Sequence, residues 1–184
     1  MPCDYKTTNG VYGNQIAYSD DHGTSWQLGA IMAGANNTNP NENEVVELVA
    51  PSPLGGSRLY CNSRDQNGTA SGTRAEAWSA DGGSSYAAPF TNNTGFVCPV
   101  VQGSLLRLRA TDEGAGANRI VFSCPNSSSS RVNISIWSST DEAASWGPAK
   151  PIYSGPSAYS DLVRDAVGNV GLLCEKGVSG AYET

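Results

Sequence analysis

Charge is scarce in this chain of 184 residues: Asp, Glu, Lys and Arg together make up 15% of it, and their balance leaves a net charge of −6. The basic excess that would hold a nucleic acid or an anionic membrane surface is missing. Histidine occurs once, at His22, and none of the five cysteines sits at C-x-x-C spacing, so no zinc-binding pattern can be read and no cofactor is implied. No apolar run approaches the length of a membrane span. The opening MPCDYKTTNG lacks the basic-then-apolar order of a signal peptide. Nowhere does helical spacing of apolar residues persist between caps, which removes long helices from the reading.

Turn residues are plentiful instead, with 21 glycines and 10 prolines among many Ser and Asn. Five N-x-S/T sequons, at Asn36, Asn67, Asn92, Asn126 and Asn133, point to a lysosomal or secreted parent protein. Cys3, Cys61, Cys98, Cys124 and Cys174 read mostly as buried residues, since small apolar thiols are among the most buried side chains. Their odd number leaves at least one thiol without a disulfide partner in this chain.

One octapeptide returns three times: SDDHGTSW at 19–26, SADGGSSY at 79–86 and STDEAASW at 139–146, with the aromatic ends spaced by 60 residues. A period of this size marks a repeated supersecondary unit. In the middle unit NEVVELV, SRLYCNSR, GTRAEAWSA and YAAPFTN are four candidate strands. The next unit follows with PVVQGSLLRLRA, NRIVFSC, RVNISIWSS and WGPAKPIYS. Four strands per unit is the plan of a propeller blade, so an all-β propeller is expected, with about three blades in this chain. The octapeptide joins the third strand to the fourth. Its Asp and Ser accept backbone N–H groups in a tight turn, Gly supplies positive φ, and the aromatic packs between sheets.

This octapeptide resembles the Asp-box of sialidases and other propellers, with Ala143 where the third copy should have Gly. Taken with NPNENEVVEL, LYCNSRDQNG, SSSSRVNISIW, GPSAYSDL and GLLCEKG in that order, the chain resembles the later half of the catalytic domain of an exo-α-sialidase, or neuraminidase. The lysosomal and bacterial branches of that family are the most similar, and the resemblance runs from about residue 11 to the end. It implies a propeller of six blades, of which residues 1–184 are a part shortened at both ends. The family's early Arg and its acid/base Asp have no match here, so the isolated chain is expected to be inactive or nearly so.

Residue by residue, the resemblance places the family's N-P-D-E glutamate on Glu42 and the arginine of its N-x-R strand on Arg64. The later arginine falls on Arg131, the tyrosine of S-x-Y-S on Tyr159, and the glutamate that orients an arginine on Glu175. Asn41 replaces the usual Asp and Cys174 the usual Tyr. A sialoside carries a carboxylate on its anomeric carbon, so a carboxylate nucleophile would meet a like charge. Sialidases use a tyrosine instead. A phenol attacks only when a base takes its proton, the role implied for Glu42 beside Tyr159. Arg64 and Arg131 would grip the substrate carboxylate through their guanidinium forks.

Each residue also has a plain structural reading. Glu42 could be a solvated carboxylate like its neighbours Glu44 and Glu47, and the arginines surface residues like Arg58, Arg107 and Arg119. Tyr159 could be a core tyrosine. Taken together, the resemblance implies a hydrolase removing sialic acid from glycoproteins, glycolipids or oligosaccharides. The alternatives are a non-catalytic sialic-acid-binding or sorting-receptor-like propeller, and a trans-sialidase. His22 sits in an Asp-box turn with no role.

Overall fold

The structure is a computed structural model that describes residues 1–34, 37–49, 58–67 and 74–183. The sequon at Asn36, Thr69 of the sequon at Asn67, and the expected strand starts at Ser57 and at Gly72–Thr73 lie outside those residues.

The described chain folds as antiparallel sheets in sequence order. The first contains β1 (Pro2–Lys6), β2 (Tyr12–Tyr18) and β3 (Gln27–Ala33). The second contains β4 (Pro40–Leu48), β5 (Arg58–Asp65), β6 (Arg74–Ser79) and β7 (Thr91–Asn93). The third runs through β8 (Ser104–Arg109), β9 (Arg119–Pro125), β10 (Val132–Ser139), β11 (Lys150–Arg164) and β12 (Val170–Lys176). The sheets are blades of part of a β-propeller, as the repeat implied. β11 does two jobs: Lys150–Pro156 pairs with β10, and Ser157–Arg164 pairs with β12. A single strand therefore closes the third blade and opens the next pair.

Period-two alternation lets β5 serve two cores at once. Cross-strand register aligns Val46, Tyr60 and Trp78 in one row, which faces the third sheet and packs with Phe96, Phe122 and Trp146. The intervening Val45, Cys61 and Ala77 face the first sheet, against Ile16, Ala30 and Phe90. Rings of Phe96 and Phe122 meet at 4.7 Å, and burying each such side chain contributes roughly 1.5–3 kcal/mol. Cys61, Cys98 and Cys124 are buried in these cores, while Cys3 and Cys174 are half-buried.

The fourth strand of the middle unit is shorter than expected: β7 covers Thr91–Asn93 rather than Tyr86–Asn92. Pro89 has no N–H for a ladder. The flanking rings turn inward instead, Tyr86 meeting fully buried Phe90 edge-on at 5.2 Å.

The three octapeptides share one hydrogen-bond pattern. Asp21, Asp81 and Asp141 each accept the N–H of the Ser four residues on, at 2.8, 2.9 and 2.9 Å. Ser19, Ser79 and Ser139 in turn accept the N–H of Gly23, Gly83 and Ala143. The Ser25 backbone N–H, followed by the Ser25 and Ser19 hydroxyls, holds the exposed Asp21 carboxyl down at about 2. These aspartates serve the turn. Tyr86 and Trp146 pack between sheets, whereas Trp26 is 56% exposed and belongs to neither buried cluster of the described residues.

Candidate active site

The strands that carry the site break register beside it. β4 is irregular between Pro40 and Asn43, β10 between Val132 and Ile134, and β11 between Ser157 and Ser160. Bulges re-aim side chains, and these three irregularities flank Glu42, Arg131 and Tyr159.

Four of the residues expected from sequence converge on one another. The Tyr159 hydroxyl donates to Glu42 Oε1. Arg64 Nη1 donates to Glu42 Oε2 at 2.9 Å and to the Tyr159 oxygen at 3.3 Å. The guanidinium of Arg131 lies 5.7 Å from the centroid of the Tyr159 ring, within cation–π range. Its Nη1 donates to the Tyr182 hydroxyl and its Nη2 to the Val100 carbonyl. Arg64 Nε is buried with no partner among the described residues.

Burial raises the Tyr159 phenol above its ordinary range, and the hydrogen bond and negative charge of Glu42 push the same way, opposed by Arg64 and Arg131. The hydroxyl therefore keeps its proton at rest and points it at a carboxylate. That arrangement keeps a neutral phenol beside a carboxylate.

Glu175 Oε2 accepts the backbone N–H of Tyr159 at 3.0 Å, and no ion pair to it is present among the described residues. It holds the tyrosine's main chain, and the arginine that the resemblance would have it orient is the early one with no match in this sequence. Asn41 is buried, donates to Gln66 Oε1 at 3.2 Å, and offers its carbonyl to Asn14 and Ser63. Cys174 stands opposite Ser160 in register and lines a cleft of about 760 Å³ together with Gln102, Tyr159, Asp161, Glu175 and Tyr182. Glu42, Arg64 and Arg131 are not in the lining, so cluster and cleft share the tyrosine.

Two residues at this end of the blade were not singled out by the sequence. Arg74, opposite Arg64 in register, is fully buried; it donates to Asn62 Oδ1 and the Val101 carbonyl, each at 2.7 Å, and lies over the Phe122 ring. Its signal was the alternation Arg74–Glu76–Trp78, which places it on the core-facing side of β6. Glu44, read as a solvated carboxylate, is half-buried on β4, and burial pushes its carboxyl up to about 7. Arg107, read as a surface arginine, has a side chain only 15% exposed and pairs with Asp112. His22 and Glu47 are exposed as expected.

Comparison with known proteins agrees with the fold. Residues 1–172 match the BNR repeat-like domain family. A sialidase of Micromonospora viridifaciens is 34% identical over 94% of this chain, which spans 25% of that relative's length. Among solved structures, the Hadza microbial sialidase Hz136 superposes with a TM-score of 0.74 at 26% identity, covering 94% of this chain and 31% of that one. An intramolecular trans-sialidase of Ruminococcus gnavus shares the fold, with a TM-score of 0.61 at 24% identity over 94% of this chain and 35% of its own. The chain belongs to the BNR repeat-like domain family, and the relatives it matches within that family are sialidases.

Proposed function

We propose that this chain carries part of the catalytic site of an exo-α-sialidase, with Tyr159 as nucleophile and Glu42 as its base. The single observation that carries this reading is the Tyr159–Glu42–Arg64 triangle, in which a phenol proton already points at a carboxylate.

In the first step the Tyr159 oxygen bonds to the anomeric carbon of the sialoside while the glycosidic bond breaks. Glu42 takes the phenol proton, and the departing oxygen receives one from a carboxylic acid outside this cluster. Arg64 balances the charge on Glu42 before transfer and the partial negative charge on the Tyr159 oxygen as its proton leaves. Arg131 and Arg64 hold the carboxylate that neighbours the reacting carbon. Water then attacks the same carbon and gives its proton to the outside carboxylate that protonated the departing oxygen, Glu42 returns the proton to the leaving phenol oxygen, and the sugar departs with retained configuration.

The substrates in this reading are sialylated glycoproteins, glycolipids or oligosaccharides, and a lysosomal or secreted parent accords with the sequons. Among the described residues no helix is long and apolar enough to cross a membrane. Transfer of sialic acid instead of hydrolysis is the second reading, favoured by the fold shared with the Ruminococcus gnavus trans-sialidase.

Release of a fluorogenic aglycone from an α-sialoside between pH 4 and 7 by a full-length enzyme carrying this chain, compared with its Tyr159→Phe variant, tests the reading. Full activity in Tyr159→Phe would remove the nucleophile assignment. A first-formed product that is not the α-anomer would remove the retaining mechanism.

A further inference from the structure

Below the Tyr159–Glu42 contact stands a second set of polar side chains. Tyr159 and Asp161 both line the cleft, and Glu44 faces Asp161 from β4. The second half of β11 pairs with β12 along one edge only. Its N–H groups at Ser160 and Leu162 leave by the other edge, and both residues are buried. Buried N–H groups need partners. Side chains before and within β8 supply them: Ser160 N–H donates to Gln102 Oε1 at 3.1 Å, and Leu162 N–H to Ser104 Oγ at 3.2 Å. With its carbonyl end engaged on β11, Gln102 also hydrogen-bonds the Glu44 carboxyl. One glutamine thus spans the strand of the base and the strand of the nucleophile.

We propose that Gln102 and Glu44 are positioning residues that hold β11 at the distance from β4 where the Tyr159 hydroxyl meets Glu42. The proposal rests on the reading of Tyr159 and Glu42 as nucleophile and base.

The hold is proton-dependent. Glu44 is faced by Asp161 from β11 and by Arg74 from β6, while Gln102 and Ser104 from the β8 side are uncharged. On its own strand the charged neighbour toward the site is Glu42. Burial, then the Asp161 carboxylate, raise the Glu44 carboxyl, against the pull of Gln102 and Arg74. Protonated Glu44 sits beside Asp161 without repulsion. Ionised Glu44 and Asp161 repel, and because one is on each strand, the repulsion loads the Gln102 bridge and widens the gap between Glu42 and Tyr159.

Amide hydrogen exchange at Ser160, corrected for the intrinsic pH dependence of exchange, reads the bridge without needing turnover. In the unaltered chain protection at Ser160 is expected to fall about tenfold as pH rises from roughly 6 to 8, a local opening rather than global unfolding. Glu44→Gln removes that fall. Gln102→Met, similar in length but unable to hydrogen-bond, lowers protection at Ser160 about tenfold at every pH while Leu162, held by Ser104, keeps its own. Should Gln102→Met fail to fold, the pH comparison with Glu44→Gln decides alone. Unchanged Ser160 protection in Gln102→Met, equal losses at Ser160 and Leu162, or a pH-dependent fall that survives Glu44→Gln would overturn the proposal. On sialoside turnover, Gln102→Met is expected to lower kcat with little change in KM. Activity retained by Tyr159→Phe would sink the catalytic reading while leaving the exchange result standing.

Discussion

The Tyr159 hydroxyl and the Glu42 carboxylate meet across 117 residues of sequence, and the phenol is the donor. Neither residue reaches the other from a loop: one lies on β4 and the other within β11, each beside a break in strand register. Rigid strands with local bulges fix the pair more closely than two flexible loops would.

Arg64 touches both Glu42 and Tyr159, whereas Arg131 only stacks on the ring. Replacing Arg64 by Met is expected to lower kcat and raise KM together, with kcat/KM down by about 10²-fold or more, on the scale of a lost charged hydrogen bond. Arg131→Met should act mostly on KM, by about tenfold to 10²-fold. Steady-state kinetics on one sialoside with both variants separates the two. Equal effects on kcat alone would contradict the assignment of Arg131 to substrate binding.

Glu44 gives stability a pH dependence with a definite sign. Its folded carboxyl titrates near 7, above the ordinary 4.5, so its contribution is complete below about 4.5 and is lost as pH rises through 7. Glu44→Gln should therefore be more stable than the unaltered chain at pH 8, by about 1–2 kcal/mol after allowing for solvent screening, and indistinguishable near pH 4.5. Urea unfolding at the two pH values measures this. A variant less stable at pH 8 would contradict it.

Ala143 has a φ of 66° where the equivalent Gly23 and Gly83 have 88° and 95°. An alanine in this left-handed region costs about 1 kcal/mol relative to glycine. Ala143→Gly is expected to raise unfolding free energy by up to about 1 kcal/mol, the lost methyl in the core reducing the gain. Destabilisation by more than that in urea unfolding would mean that the methyl's packing outweighs the strain.

Much of this was legible in the sequence because it is local or periodic. The octapeptides announced their own turns, since the Ser and Asp that fold each turn lie within it. Strand positions followed from alternation and turn residues. The resemblance to sialidases, not the residues taken singly, pointed to Glu42, Arg64, Arg131 and Tyr159 as one cluster before any geometry was known. What stayed hidden depends on which face meets which sheet. Arg74 and Glu44 look like ordinary strand-surface charges until the third sheet and β11 cover them. Gln102 carries no motif, and the role proposed for it arises because, among the described residues, no strand pairs with the outer edge of the second half of β11. β7 was mislaid because the buried ring of Phe90, not ladder pairing, decides where its segment goes. Glu175 takes the Tyr159 N–H, a contact set by the pairing of β11 with β12 and carried by no motif.

The central claim is that Tyr159 itself forms the bond to the sugar. Acid quenching of a full-length enzyme carrying this chain during reaction with an activated α-sialoside, followed by mass analysis of the peptide carrying Tyr159, tests this most directly. The account predicts that this peptide gains the mass of one sialyl residue on the tyrosine, and that the gain disappears in Tyr159→Phe. Turnover with an unmodified Tyr159 peptide and the adduct on another residue would contradict it.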